Sequence, residues 1–116
     1  MYAVPNPNFM NGVPELLILR LLEKREMYGY ELVHEIRIAT TGAISIGEGV
    51  VYPALHALEY EGALKSRRKT INGRTRVYYT VTREGAKRLQ GLAAQWTRIA
   101  DAVGNLVREP RYAATV

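Results

Sequence analysis

The sequence predicts a mainly α fold with one small β-hairpin: three helices in helix-turn-helix order, then the hairpin, then one long C-terminal helix. Three observations carry this expectation. Apolar residues recur at three- and four-residue spacing in three separate stretches before residue 62. The dipeptide Asn72-Gly73 then stands between two runs in which the period drops toward 2. Finally Leu89, Leu92, Trp96, Ile99, Val103 and Leu106 advance by 3, 4, 3, 4 and 3, which is a heptad seam. The chain divides accordingly into an irregular arm (1–13), a compact domain (14–82), a C-terminal helix (83–108) and a flexible tail (109–116).

Residues 1–13 hold two prolines, three asparagines and a glycine without apolar period, hence the arm. The first helix is expected from Pro14, with Glu15 at the positive end of its dipole and Lys24 at the far end. Leucine and isoleucine fill six of the nine positions 15–23, more than a surface helix needs, so this helix should be buried on two sides. Met27, Tyr28 and Gly29 break the period. A second helix runs from about Gly29 to Thr40 with Leu32, Val33 and Ile36 inward, and Ala43–Ile46 is a short extended link.

The third helix, within GEGVVYPALHALEYEGAL, starts at residue 48 or 49, because Pro53 lacks an N–H and is harmless only near a helix start. Val51, Leu55 and Leu58 form its buried stripe; Gly49, Pro53, His56, Ala57 and Tyr60 point outward. The amides of Gly49, Val50 and Val51 cluster at its N-terminus, where a phosphate would be received. Pairing outward from Asn72-Gly73 sets Leu64 opposite Val81, Ser66 opposite Tyr79, Arg68 opposite Val77 and Lys69 opposite Arg76. Thr82 is the expected N-cap of a last helix about 39 Å long at 1.5 Å per residue. A domain of this size has no second groove for so long a stripe, so the same helix of another copy is the natural partner.

The 116 residues, 47% apolar and 23% charged, suffice for one compact core. No apolar run approaches the roughly 20 residues that cross a bilayer, and the N-terminus lacks the features of a signal peptide, so a cytoplasmic protein without a membrane partner is expected. Without cysteine there are no disulfides and no thiolate zinc sites. Charge is distributed unevenly. Residues 1–63 hold four basic and eight acidic side chains, whereas 64–90 hold nine basic ones against Glu84 alone. So local a block is the footprint of a polyanion or an acidic surface. Like charges facing each other at Lys69 and Arg76 are destabilising, which favours an anion bound at the hairpin.

The segments NGVPELLILRLLEK, MYGYELVHEI, GEGVVYPALHALEYEGAL and GRTRVYYTVTREGAKRL, in that order and spacing, resemble the PadR family of bacterial winged-helix transcriptional regulators over about residues 11–90. Tyr52-Pro53-Ala54-Leu55, followed by Leu58-Glu59 and Glu61-Gly62, is the most specific part. The short C-terminal helix with its tryptophan is similar to the smaller branch of that family. The resemblance implies a winged helix-turn-helix homodimer on a palindromic operator of double-stranded DNA, usually as a repressor, with the third helix in the major groove and the wing along the backbone. The resemblance for Val50 and Tyr52, the exposed helix start and face, and the basic block together give as candidate DNA-binding residues Gly49, Val50, Tyr52, Pro53 and His56 on the helix and Arg67, Arg68, Lys69, Arg74 and Arg76 on the wing. Val50 stands where the family commonly has serine or threonine, and His56 and Ala57 where lysine or arginine is common. Apolar contact with thymine methyls and phosphate attraction are therefore expected in place of direct base hydrogen bonds. Leu89, Leu92, Trp96, Ile99, Val103 and Leu106 would form the dimer interface. Some family members hold flat aromatic effectors between the C-terminal helices, which here implies Trp96 with Ala93 and Ala100.

An enzyme fits poorly. The two histidines, His34 and His56, lie on different helices, and no nucleophile-base set or phosphate-binding glycine loop is present. His34 with Glu31 and Glu35 reads as a solvated helix face, so no metal or cofactor is expected. The reading from a different class is an adaptor that binds protein through the apolar face of the third helix.

Overall fold

A computed structural model describes residues 9–109 of the chain. Helix α1 spans Phe9–Lys24, so residues 9–13 are helical and the irregular arm is shorter than expected. The reason is packing: Val13 is buried, which holds the extra turn although Pro14 removes one backbone bond from it. Residues 1–8 of the arm and 110–116 of the tail lie outside the described residues.

A two-residue strand, β1 (Met27–Tyr28), follows where the sequence suggested only a break. It pairs with β3, so the hairpin is part of a three-stranded antiparallel sheet in the order β1-β3-β2. Helix α2 (Gly29–Ala39) begins with the carboxylate of Glu31 accepting the Tyr28 amide at 3.2 Å. At its end the Thr40 hydroxyl donates to the Ile36 carbonyl at 2.7 Å and accepts the Ile44 amide at 3.1 Å, which shapes the link to α3. Helix α3 (Glu48–Tyr60) buries Val51, Leu55 and Leu58 as its spacing predicts. It stops in a Schellman turn: Ala63 and Gly62 donate to the carbonyls of Leu58 and Glu59, with Gly62 at φ +84°.

Strands β2 (Leu64–Ile71) and β3 (Arg74–Val81) pair in the predicted register around a turn with positive φ at both Asn72 and Gly73. Helix α4 (Arg83–Arg108) is capped by Thr82, whose Oγ1 accepts the Gly85 amide. The cap also fixes the helix to the molecule, because the Thr82 hydroxyl donates to the Gly62 carbonyl at 2.6 Å and its amide to that of Ala63 at 3.0 Å.

Helix α1 is the hub, in contact with α2, α3, α4 and β3. Ile18, Leu19, Leu32, Ile36, Val51, Leu55 and Leu58 are fully buried around it, each worth about 1.5–3 kcal/mol against exposure. Extents of 64 × 27 × 23 Å reflect how far α4 projects past this core. No helix among the described residues is long and apolar enough to cross a membrane.

Candidate nucleic-acid interface

Helix α3 exposes Gly49, Val50, Pro53, His56 and Ala57, and Tyr60, 93% exposed, continues the face. No lysine or arginine lies between Glu48 and Glu61, so attraction for an anion must come from elsewhere. The first turn supplies less than its position suggests. The amides of Val50 and Val51 donate to the Gly47 carbonyl at 3.1 and 3.0 Å, and of the three expected to be free only that of Gly49 has no backbone partner among the described residues.

Tyr52 is half-buried and leans on the start of α2. Its ring is so close to Gly29 that a Cβ there would stand 2.5 Å from Cε1 and Cζ. Burial pushes its phenol pKa up, and Glu48 and Tyr28 add to the effect, so the hydroxyl stays a protonated donor at neutral pH. The ring lines a cleft of about 430 Å³ between the starts of α2 and α3 and strand β3, with Tyr28, Tyr30, Glu48, Arg74 and Arg76 in its walls.

On the sheet, Ser66, Val77 and Tyr79 share one face with the core, while Arg67, Lys69, Arg76 and Tyr78 share the outer face. Ser66 donates to Glu59 at 2.5 Å and ties β2 to α3. Lys69 does oppose Arg76, yet their compensation is internal, which corrects the inference that the pair demands an external anion. Lys69 bonds the Glu26 carboxylate and lies 4.7 Å above the Tyr78 ring; the Arg76 guanidinium lies 4.4 Å above the Tyr28 ring. Arg67 also pairs with Glu26, at 3.4 Å. The Lys69 ammonium foremost, with Arg67, holds the Glu26 carboxyl below its ordinary pKa. The side chains of Arg68 and Arg74, by contrast, make no hydrogen bond or ion pair among the described residues.

The C-terminal seam divides. Leu89 is buried in the core of its own chain and Leu92 packs against that core, so the structure removes Leu89 from the exposed stripe that spacing assigned it to. The physical reason is that the first turns of α4 lie along α1. Ile99 is half-buried, and Trp96, Val103 and Leu106 are 40%, 55% and 57% exposed. Trp96 and Ala93, with Leu16, Leu17 and Ile44, line an apolar groove of about 620 Å³ between α1 and α4. Ala100 does not line it.

Three residues here are absent from the site residues expected from sequence: Glu26, Tyr28 and Arg88. Arg88 donates to Glu61 at 2.6 Å and Glu15 at 3.4 Å, bracing α4 against the end of α3 and against α1. Its partners are distant in sequence, and only the pairing of β1 brings Glu26 and Tyr28 to the wing. His34 meets the Tyr30 ring edge-on at 4.7 Å and the Arg37 guanidinium at 3.3 Å.

A solvent-facing third helix flanked by a three-stranded sheet with a cationic hairpin defines a winged helix-turn-helix. A family model described as the transcriptional regulator PadR-like family matches residues 18–91. A transcriptional regulator from Clostridium thermocellum is 30% identical, with a TM-score of 0.78 over 90% of this chain and 100% of that one. A PadR family transcriptional regulator from Eggerthella lenta is 34% identical, with a TM-score of 0.71 over 85% of each chain. The transcriptional regulator YqjI of Escherichia coli is 33% identical over 82 residues, which are 71% of this chain and 38% of that protein. The chain belongs to the PadR-like family of transcriptional regulators.

Proposed function

We propose that the chain binds a palindromic operator as a homodimer in the cytoplasm, represses transcription there, and is released by a planar aromatic effector. The observation that carries this reading is the uncharged, exposed face of α3 lying beside Tyr52 and the cleft walled by Arg74 and Arg76. Such a face suits the major groove, where Val50 and Ala57 meet thymine methyls, His56 reaches a base or phosphate, and Gly49 and Pro53 permit close approach. The phenol of Tyr52 donates to a backbone phosphate, and the wing cations add attraction. Trp96, Ile99, Val103 and Leu106 on α4 pair with their counterparts in a second copy, so that two α3 helices address half-sites about 34 Å apart. The effector lies near Trp96, with Ala93 and Ala100 alongside.

The test is retardation of duplex fragments flanking its own gene, measured between about 50 and 200 mM salt. Binding should weaken steeply as salt rises. Failure to retard any fragment at low salt defeats the reading and favours the protein-binding adaptor. For the effector, quenching of the single tryptophan by a planar aromatic compound should accompany DNA release; unchanged emission across a broad aromatic library counts against it.

A further inference from the structure

Glu26 stands at the entry to β1, on the outer face of the sheet. Its carboxylate is bonded by Lys69 and is approached by Arg67 through both Nε and Nη2 at 3.4 Å. The same face carries Arg76 over Tyr28, and both of these line the cleft that reaches Tyr52 on α3. A cationic strip therefore runs from the flank of α3 across the sheet, and its far end already holds an anion. Two cations converging on carboxylate oxygens are the arrangement that would meet phosphate oxygens. The site is open on the Arg67 side, where that side chain is 67% exposed, whereas Lys69 and Glu26 are 29% and 23% exposed, so an incoming anion would meet Arg67 first.

The geometry points to Glu26 as a built-in competitor for phosphate, an internal anion that occupies the site formed by Arg67 and Lys69 and weakens the attraction of the wing for a nucleic-acid backbone. This rests on the DNA-binding reading above. In the resting protein Lys65, Arg68, Arg74 and Arg76, none of them paired with a carboxylate among the described residues, supply the long-range pull of the hairpin, and Arg67 and Lys69 join only where a backbone phosphate displaces the carboxylate. Glu26 thus sets affinity without touching DNA. The simpler role, a tie between β1 and β2, makes the opposite prediction, because loosening the wing would cost binding.

The test measures operator affinity of the full chain against salt for the wild type, Glu26→Gln, Arg67→Ala/Lys69→Ala and the triple variant. Glu23→Gln is the matched charge control; that residue pairs with Arg20 beside the α1–α4 groove. Glu26→Gln should bind roughly three- to tenfold tighter near 0.1 M salt, with a salt slope steeper by about 1–2. Glu23→Gln should change affinity less than about twofold, and the gain should vanish when Arg67 and Lys69 are absent. A gain that survives their removal, an equal gain from Glu23→Gln, or unchanged or weaker binding by Glu26→Gln overturns the inference. A readout independent of DNA is the unfolding midpoint with inorganic phosphate against chloride at equal ionic strength: phosphate should raise it in Glu26→Gln more than in wild type, and equal shifts also overturn the inference. Should the wild type bind no DNA at low salt, the functional reading fails and the phosphate comparison alone decides the anion site.

Discussion

Two glycines make opposite demands on a methyl group. At Gly29 the nearest atoms are the far end of the Tyr52 ring, which can swing away; at Gly85 a Cβ would stand 2.1 Å from the backbone carbonyl of Ala63, which cannot. Gly29→Ala should therefore cost less than about 1.5 kcal/mol of stability while displacing Tyr52 and weakening DNA binding. Gly85→Ala should cost about 3 kcal/mol or more, because α4 must lift off the α3–β2 turn. Chemical denaturation and retardation assays on both variants separate the two effects. Glu26 offers a test in pH. Its carboxyl is held below the ordinary carboxylate range, so the stability it adds is present above the unfolded pKa and is lost as pH falls through the lower folded value. Melting curves of wild type and Glu26→Gln should differ near neutrality and converge in acid. The sequence made Tyr52 legible through its motif. It could not reveal that Gly29 and Gly85 are spacing requirements, since the atoms they avoid come from other elements.

At the scale of elements, periodicity identified helices and hairpin well, down to the strand register, because a stripe and a turn are local signals. Strand β1 was invisible for the same reason: two residues cannot display a period, and their partners Tyr78 and Tyr79 lie far along the chain. The heptad of α4 is a stripe as its spacing predicts, but its first two positions, Leu89 and Leu92, are covered by this chain's own core. Spacing reports that a face is apolar, not what covers it. Leu89 has its own chain beneath it and should lose about 2–5 kcal/mol of stability on replacement by alanine, assayed by denaturation. Ile99→Asp combined with Val103→Asp should leave the domain folded and yield monomer on a sizing column, since two charges would be buried unpaired across the seam. A double variant that remains dimeric would place the contact elsewhere.

For the whole molecule the decisive quantity is how many cations are uncommitted. The local charge block in residues 64–90 was legible in the sequence, and on that basis Arg67, Arg68 and Lys69 looked equivalent. Folding distinguishes them by bringing Glu26 alongside two of the three. Arg68→Ala/Arg74→Ala should thus flatten the salt dependence of DNA binding by about 2, and Arg67→Ala/Lys69→Ala by less. Equal slopes for the two pairs would argue that the internal ion pairs do not persist in the complex.

The junction where Thr82 bonds the Gly62 carbonyl, Gly85 abuts Ala63 and Arg88 grips Glu61 gives α4 almost no freedom to pivot against the end of α3. In a dimer built on α4, each protomer becomes one rigid jaw of a calliper. A small change in the angle at which the two long helices cross then changes the gap between the reading helices, and the duplex, whose grooves repeat at a fixed distance, tolerates few settings of that gap. A compound wedged near Trp96 could release DNA by opening the jaws, without altering a single side chain on α3.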